Sequence, residues 1–206
     1  VDPVFNNVSL LLHGNGTNGS TTITDSSPTP KTVTAVGNAQ ISTAQSKFGG
    51  SSIAFDGVGD AVSITPLPSF NFGTSSFTIE FWIYPIAWTG FPAFILFISG
   101  AVNIDVVTTT LRATVTGGPG LNATAPSFNS WSHIAVVRNG NNFALYINGS
   151  SVASATSSVA LVQPSQVTLN RSGFESQIYL DEVRITNGIA RYTANFTPPT
   201  APFPDI

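Results

Sequence analysis

Polar and apolar residues alternate along most of this chain in short runs, the two-residue period of strands with one face turned to a core. In SFTIEFWIYP, Phe77, Ile79, Phe81 and Ile83 fall on one face and Thr78, Glu80, Trp82 and Tyr84 on the other, which assigns the first set to the core. In HIAVVR both faces are apolar, Ile134 and Val136 opposing Ala135 and Val137, as in a central strand covered on both sides. The run RNGNN then supplies Asn139 and Gly140, residues that tolerate the positive φ of a tight hairpin, and FALYI returns. A second pair, Asn148-Gly149, turns the chain into SVASATS and makes a meander.

Similar short runs recur as VSLLLH, TVTAV, SIAFD, AVSIT, NIDVV, LRATVT, QVTLN and IYLDEVRIT, punctuated by Gly, Pro, Ser and Asn. No stretch holds apolar residues at helical spacing for three turns; IARYTANF has room for one short helical turn. Many short strands separated by turns predict an all-β fold, a two-sheet antiparallel sandwich or jelly roll. Residues 1–197 read as one domain. Residues 198–206 are rich in proline, which has no N–H to give a sheet, so they are expected to run as an extended strap.

Composition narrows the function classes. Only 8% of the 206 residues are charged, against roughly 25% in ordinary soluble proteins. The formal net charge is -3, and the seven Lys and Arg residues are scattered, which argues against a nucleic-acid partner. Without cysteine there are no disulfides, no thiolate metal ligands and no cysteine nucleophile. The most apolar stretch, FPAFILFISGAV, is broken by Pro92 and Gly100 and falls short of the ~20 residues of a membrane helix, so it reads as a buried strand pair. No charged segment precedes an apolar run at Val1, so no signal peptide is expected there.

The stretch WSHIAVVRNGNNFALYINGS, with FGGSSIAFDGVGDAVSI and IYLDEVRITNGIARYTANFTPP, resembles the laminin-G-like, concanavalin A-like jelly-roll superfamily. That tail and the start LLLHGNGTNGS are also similar to forms found in tailed-phage virion proteins. The resemblance implies a fold shared by lectins, adhesion modules and glucanases, so function rests on the sites. The glucanase branch implies a Glu-x-Asp-x-x-Glu strand that aims its carboxylates into one cleft. None of the ten acids here has that spacing. Asp181 and Glu182 are adjacent and point to opposite faces of a strand, whereas Glu182 and Arg184 share a face and are expected to pair. A non-enzymatic protein is expected.

His133 sits where the resemblance implies a structural histidine, and His13, before GNGTNGS, is expected to be exposed. Two histidines without cysteine make a poor zinc set, and no cofactor is expected, with calcium the one candidate metal. DGVGD places Asp56 and Asp60 in one Gly-rich turn, a calcium candidate that a plain hairpin explains equally. For carbohydrate, Glu80, Trp82 and Tyr84 on the non-core face of one strand, with Trp88 in the following loop, offer an aromatic platform. The alternative is that another chain segment or a neighbouring subunit covers that face. Sequons at Asn7, Asn15, Asn122 and Asn148 read as ordinary turn and strand polar residues.

Two readings follow. In the first, the chain decorates or cements a virus particle, held to identical copies and other virion proteins through its weakly charged surface, with the Pro-rich end and the segment before Val8 as straps over a neighbour. In the second, it is an adhesion module on a fibre or particle surface that recognises host glycan. Either places it on a virion surface or outside the cell, with no membrane insertion.

Overall fold

A computed structural model describes all residues, 1–206. The alternating runs form strands, and the strands form two antiparallel sheets. The first sheet holds β1 (Val8–Leu12), β3 (Gln40–Ser42), β4 (Ser52–Asp56), β6 (Phe77–Trp88), β11 (Ser132–Asn139), β12 (Asn142–Ile147), β13 (Ser150–Thr156) and β15 (Ser176–Asn187). Its order is β13-β12-β11-β6-β15-β4-β3, and β1 pairs with the far half of β15. The second sheet holds β2 (Val33–Val36), β5 (Ala61–Ile64), β7 (Ala93–Ile98), β8 (Val102–Val107), β9 (Thr110–Val115), β10 (Gly120–Thr124) and β14 (Val167–Leu169), in the order β10-β9-β8-β7-β14-β5-β2.

The expected core faces point inward. Phe77, Ile79, Phe81 and Ile83 of β6 meet Ile134 and Val136 of β11 and Ile178, Leu180, Val183 and Ile185 of β15 in one continuous apolar core. The second sheet contributes Ile95, Leu96, Ile98, Ile104 and Leu111 to it. FPAFILFISGAV forms β7, a turn at Ser99–Ala101 and the start of β8, as its Pro and Gly predict. Asn148 and Gly149 take φ +50° and +78° between β12 and β13, the left-handed pair that a two-residue hairpin of this twist requires.

Two strands, β3 and β10, escaped the sequence reading because QIS and GLNAT are short and weakly apolar. IARYTANF forms no helix. The only helical pieces are single 3-10 turns at Phe5–Asn7 and Pro68–Phe70. A bulge in β15 between Asp181 and Arg184, with Glu182 at φ +51°, undoes the expected Glu182–Arg184 pair. Arg184 instead binds Asp2 at 2.5 Å, and Glu182 reaches His13 at 2.8 Å.

The Pro-rich end runs extended over its own sandwich. Phe203 is buried against Val8 and Leu11 on the outer face of the first sheet. Its N–H donates to Glu182 Oε2 (2.7 Å), and Asp2 N–H donates to the Ile206 carbonyl (2.6 Å). Both termini are engaged with each other and with β1 and β15.

Candidate functional site

β6 crosses the middle of the first sheet, so its outward residues Thr78, Glu80, Trp82 and Tyr84 follow one another along that sheet's outer face. Register places β11 and β15 residues beside each of them: Ala135 and Arg184 flank Glu80, and His133 and Asp181 flank Trp82. What lies on top differs along the strand, and that difference creates the site.

At Glu80 the face is covered. The residue is 0% exposed, so it cannot meet a ligand. Arg191 Nη1 and Tyr192 Oη, from the segment after β15, donate to its two carboxylate oxygens, the latter at 2.7 Å, and His133 Nε2 lies 3.4 Å away. Burial alone would raise the Glu80 pKa, but His133 and the Arg191 charge hold it below the ordinary carboxylate value. Tyr192 is shifted upward by burial and by the Glu80 charge. Tyr192 and Phe196 stack with ring centres 3.5 Å apart over Ala135, Val137 and Tyr146, closing this region.

Trp82 is covered as well, at 5% exposure. Lys47 Nζ stands 3.9 Å from its ring centre, Phe48 meets it edge-on at 6.1 Å and His133 at 5.2 Å. Asp181 Oδ2 fastens this flap by accepting the N–H groups of Lys47 (2.8 Å) and Phe48 (3.1 Å). Burial pushes Asp181 up to about 7, the two N–H bonds opposing the rise. The platform expected from Glu80 and Trp82 is therefore corrected: a chain segment covers both, the alternative the sequence left open. His133, fully buried between Trp82, Glu80 and Phe196, is structural in position.

Beyond the flap the face opens at Tyr84. Tyr179 of β15 is its register partner, and Trp131 stands just before β11 on the other side. The three partly exposed rings form a row across the sheet, with centres 5.5 Å apart for Trp131 and Tyr84 and 6.1 Å for Tyr84 and Tyr179. Tyr179 also lines a pocket of about 270 Å³ whose other walls carry Asn18, Asn38, Gln40, Ser42 and Gln177. Aromatic edges and faces thus adjoin fixed amides and hydroxyls, the two components of a shallow polar-ligand site. The sequence reading found Tyr84 and missed Trp131, Tyr179 and the amides, which reach it only through strand pairing. Trp88 lies elsewhere, tilted against Phe128 at 5.8 Å in a separate hollow with Thr108, Thr109 and Thr124.

Asp56 and Asp60 do meet in their turn, at the edge of the amide pocket. Asp60 is buried and accepts the N–H groups of Asn38 (2.5 Å) and Asp56 (2.6 Å). Asp56 accepts from Val58 N–H (2.8 Å) and Asn38 Nδ2 (3.1 Å). Burial raises Asp60, whereas the Asn38 amide and Val58 N–H lower Asp56. All four oxygens serve the turn, and no group of three or more His, Asp or Glu side chains converges to hold a metal ion.

His13 also departs from expectation. Its side chain is 11% exposed and lies between Glu182 (Nδ1, 2.8 Å) and Asp205 (Nε2, 2.6 Å). Burial would lower its pKa, but the two carboxylates overcome this and raise it to about 9. An imidazolium there ties the bulge of β15 to the C-terminal strap.

No curated protein matches the chain in sequence. Among solved structures, the binding domain of Paraclostridial Mosquitocidal Protein 1 superposes with a TM-score of 0.71 at 20% identity, over 92% of this chain and 50% of the other. A botulinum neurotoxin type C structure, whose title states that cell entry depends on interaction with two ganglioside molecules, gives 0.70 at 16%, over 90% and 49%. The binding domain of botulinum neurotoxin DC in complex with SialylT gives 0.68 at 16%, over 98% and 49%. The chain spans about half the length of each, and at these identities the likeness is one of fold. The family described as the concanavalin A-like lectin/glucanases superfamily matches residues 56–190, most of the chain and both sheets, and this protein belongs to it.

Proposed function

We propose that the chain is a non-catalytic glycan-binding module that recognises carbohydrate with the Trp131–Tyr84–Tyr179 row and its amide-lined pocket. One observation carries this reading: a row of three partly exposed aromatic rings ends at Tyr179, which lines a pocket walled by Asn, Gln and Ser side chains together with Asp56. Sugar rings offer C–H faces to aromatics and hydroxyls to planar amides, so the two halves of the site match the two surfaces of one ligand class. The solved neighbours named for ganglioside and SialylT support the class, though they are twice as long and what they bind is stated of them. A protein that reads glycans in this way acts outside the cell or on a particle surface.

The test is a glycan array probed with the intact chain and with Tyr84→Ala and Tyr179→Ala. The chain should retain a defined glycan set, and each variant should bind about tenfold more weakly, ~1.4 kcal/mol. An empty array, or variants that bind undiminished, would refute the site.

Attachment within a larger particle, through identical copies or other virion proteins, is a second reading. It is favoured by Val58 and Phe91, 76% and 72% exposed on neighbouring loops that Glu175 pins together: its Oε1 accepts Gly59 N–H and its carbonyl accepts Gly90 N–H. A chain that stays monomeric at high concentration and has no affinity for a particle would exclude it.

A further inference from the structure

The chain has only seven Lys and Arg residues, and the fold consumes most of their charge. Lys31, Arg112, Arg184 and Arg191 face Asp25, Asp105, Asp2 and Glu80, and Arg138 donates to the carbonyls of Gly73 and Gly140. Arg171 lies against Phe97 of the second sheet, 4.2 Å from its ring centre. Lys47 is the exception on the first sheet, where the aromatic row lies. Its backbone is fixed, because the N–H groups of Lys47 and Phe48 both donate to Asp181 Oδ2. Its ammonium rests on rings alone, 3.9 Å from the centre of Trp82 and 5.5 Å from that of Phe48. The residue is partly exposed, and Nζ keeps contact with solvent. An ammonium held only by ring faces retains three unused donors.

Position decides what those donors can meet. Trp82 and Tyr84 are two residues apart on the same face of β6, so the ammonium stands over a ring only about 7 Å from the aromatic row, at ~3.3 Å per residue. Toward Glu80 the face is sealed by Arg191, Tyr192 and Phe196, which leaves the Tyr84 side as the open one. Asp181, the acid beneath the flap, is fully buried, and burial pushes it up to about 7, so near neutral pH it carries only part of a charge to set against the lysine. Asp56 lies on the other side of the row. It is the register partner of Gln177, about 13 Å along β15 from Asp181 at the same rise, and Tyr179 falls midway between them. The third ring of the row is thus bracketed by a free ammonium at one end and a carboxylate at the other.

We propose that the aromatic row takes an acidic sugar, its carboxylate or sulfate on Lys47 Nζ, its ring against Tyr84 and Tyr179, and its hydroxyls toward the amide pocket and Asp56. The proposal rests on the glycan reading of Tyr84 and adds to it the charge of the ligand. A hydrogen bond between two ionised groups is roughly twice as strong as a neutral one, so an ammonium without a protein partner is the strongest single contact this face can offer. The opposite charges also set direction, since Asp56 repels the acidic group that Lys47 attracts and accepts a hydroxyl in its place.

The experiment is a glycan array, probed with the intact chain, on which each neutral oligosaccharide stands beside its sialylated and its sulfated form, followed by calorimetric titration of the retained members. Acidic forms should bind about tenfold more tightly than their neutral parents, and raising NaCl from about 50 to about 500 mM should shrink that margin. A margin for the sialylated forms identifies a carboxylate ligand, and one for the sulfated forms a sulfate. Lys47→Gln keeps both backbone bonds to Asp181, so its melting temperature should stay close to that of the intact chain while its affinity for acidic forms falls to that of their parents. Lys47→Arg, which keeps the charge, should restore most of the margin. Tyr179→Ala should weaken acidic and neutral forms alike. Neutral glycans bound as tightly as their acidic counterparts, or a margin that survives Lys47→Gln, would overturn the proposal and leave the aromatic row standing. An empty array would remove the row itself and the proposal with it.

Discussion

Raising the pH should loosen the C-terminal strap, because His13 holds it as an imidazolium. The folded pKa of about 9 stands above the ordinary value of 6.5. A base whose folded pKa is raised contributes its full stability below the unfolded pKa, and that contribution is lost as pH rises through the folded one. The window is therefore 6.5 to 9. At ~1.4 kcal/mol per unit the shift sets a ceiling of about 3 kcal/mol. Asp205 is 60% exposed, so solvent screens half of the clamp, and about 1–2 kcal/mol is the working expectation. Urea unfolding across this window, with the intact chain and His13→Ala in parallel, isolates the term, because Asp181, which titrates near its lower edge, is common to both. The intact chain should lose its advantage over the variant as pH rises. Phe203 and Asp205 should become more accessible to hydrogen exchange or proteolysis in the same range. A constant stability difference between the two proteins from pH 6.5 to 9 would refute the clamp.

Two further outcomes follow from the covered half of the same face. Glu80→Gln leaves Arg191 and His133 facing a neutral amide in a buried site, and should destabilise the fold by about 3 kcal/mol or more in denaturant unfolding. Asp181→Asn keeps an oxygen for the Lys47 and Phe48 N–H groups while removing a buried charge, and should stabilise the chain by about 1 kcal/mol above pH 7 and by less below it, read from urea midpoints at both pH values.

The fold was legible because it rests on local periodicity. Phe77, Ile79, Phe81 and Ile83 declare a core face in four alternate letters, and Asn148-Gly149 declares a hairpin that only left-handed backbone can make. The site was less so, because it is a product of coverage. Glu80, Trp82 and Tyr84 are equivalent in alternation, yet the first two are sealed by segments about 110 and 35 residues away in sequence, a distance at which no pattern signals contact. Tyr179 is adjacent to Tyr84 only through the β6–β15 register, and Glu182 left its expected partner because one bulge rotated it away from Arg184. His13 was misplaced for the same reason, since the strap that buries it is the last stretch of the chain to be read.

The weakly charged composition has a consequence for where function can reside. Few ionic groups are available, and the structure gathers many of them on one face: Asp2, Arg184, Arg191, Glu80, His13, Glu182 and Asp205 all lie beneath or within the terminal segments. Such buried ion pairs contribute little net stability over apolar packing, but they fix which segment lies where, since a misplaced strap leaves a charge unpaired. The tail at Tyr192 is held by this means and the flap at Lys47 by its backbone hydrogen bonds to Asp181, and both stop short of Tyr84. The open row of aromatics is thus an edge that the protein's own coverage defines, and the residues left uncovered carry rings, amides and hydroxyls, with Asp56 the one charge in the pocket wall. A surface of that kind distinguishes ligands by shape and hydroxyl placement, which is the physical basis for reading this module as a binder of carbohydrate.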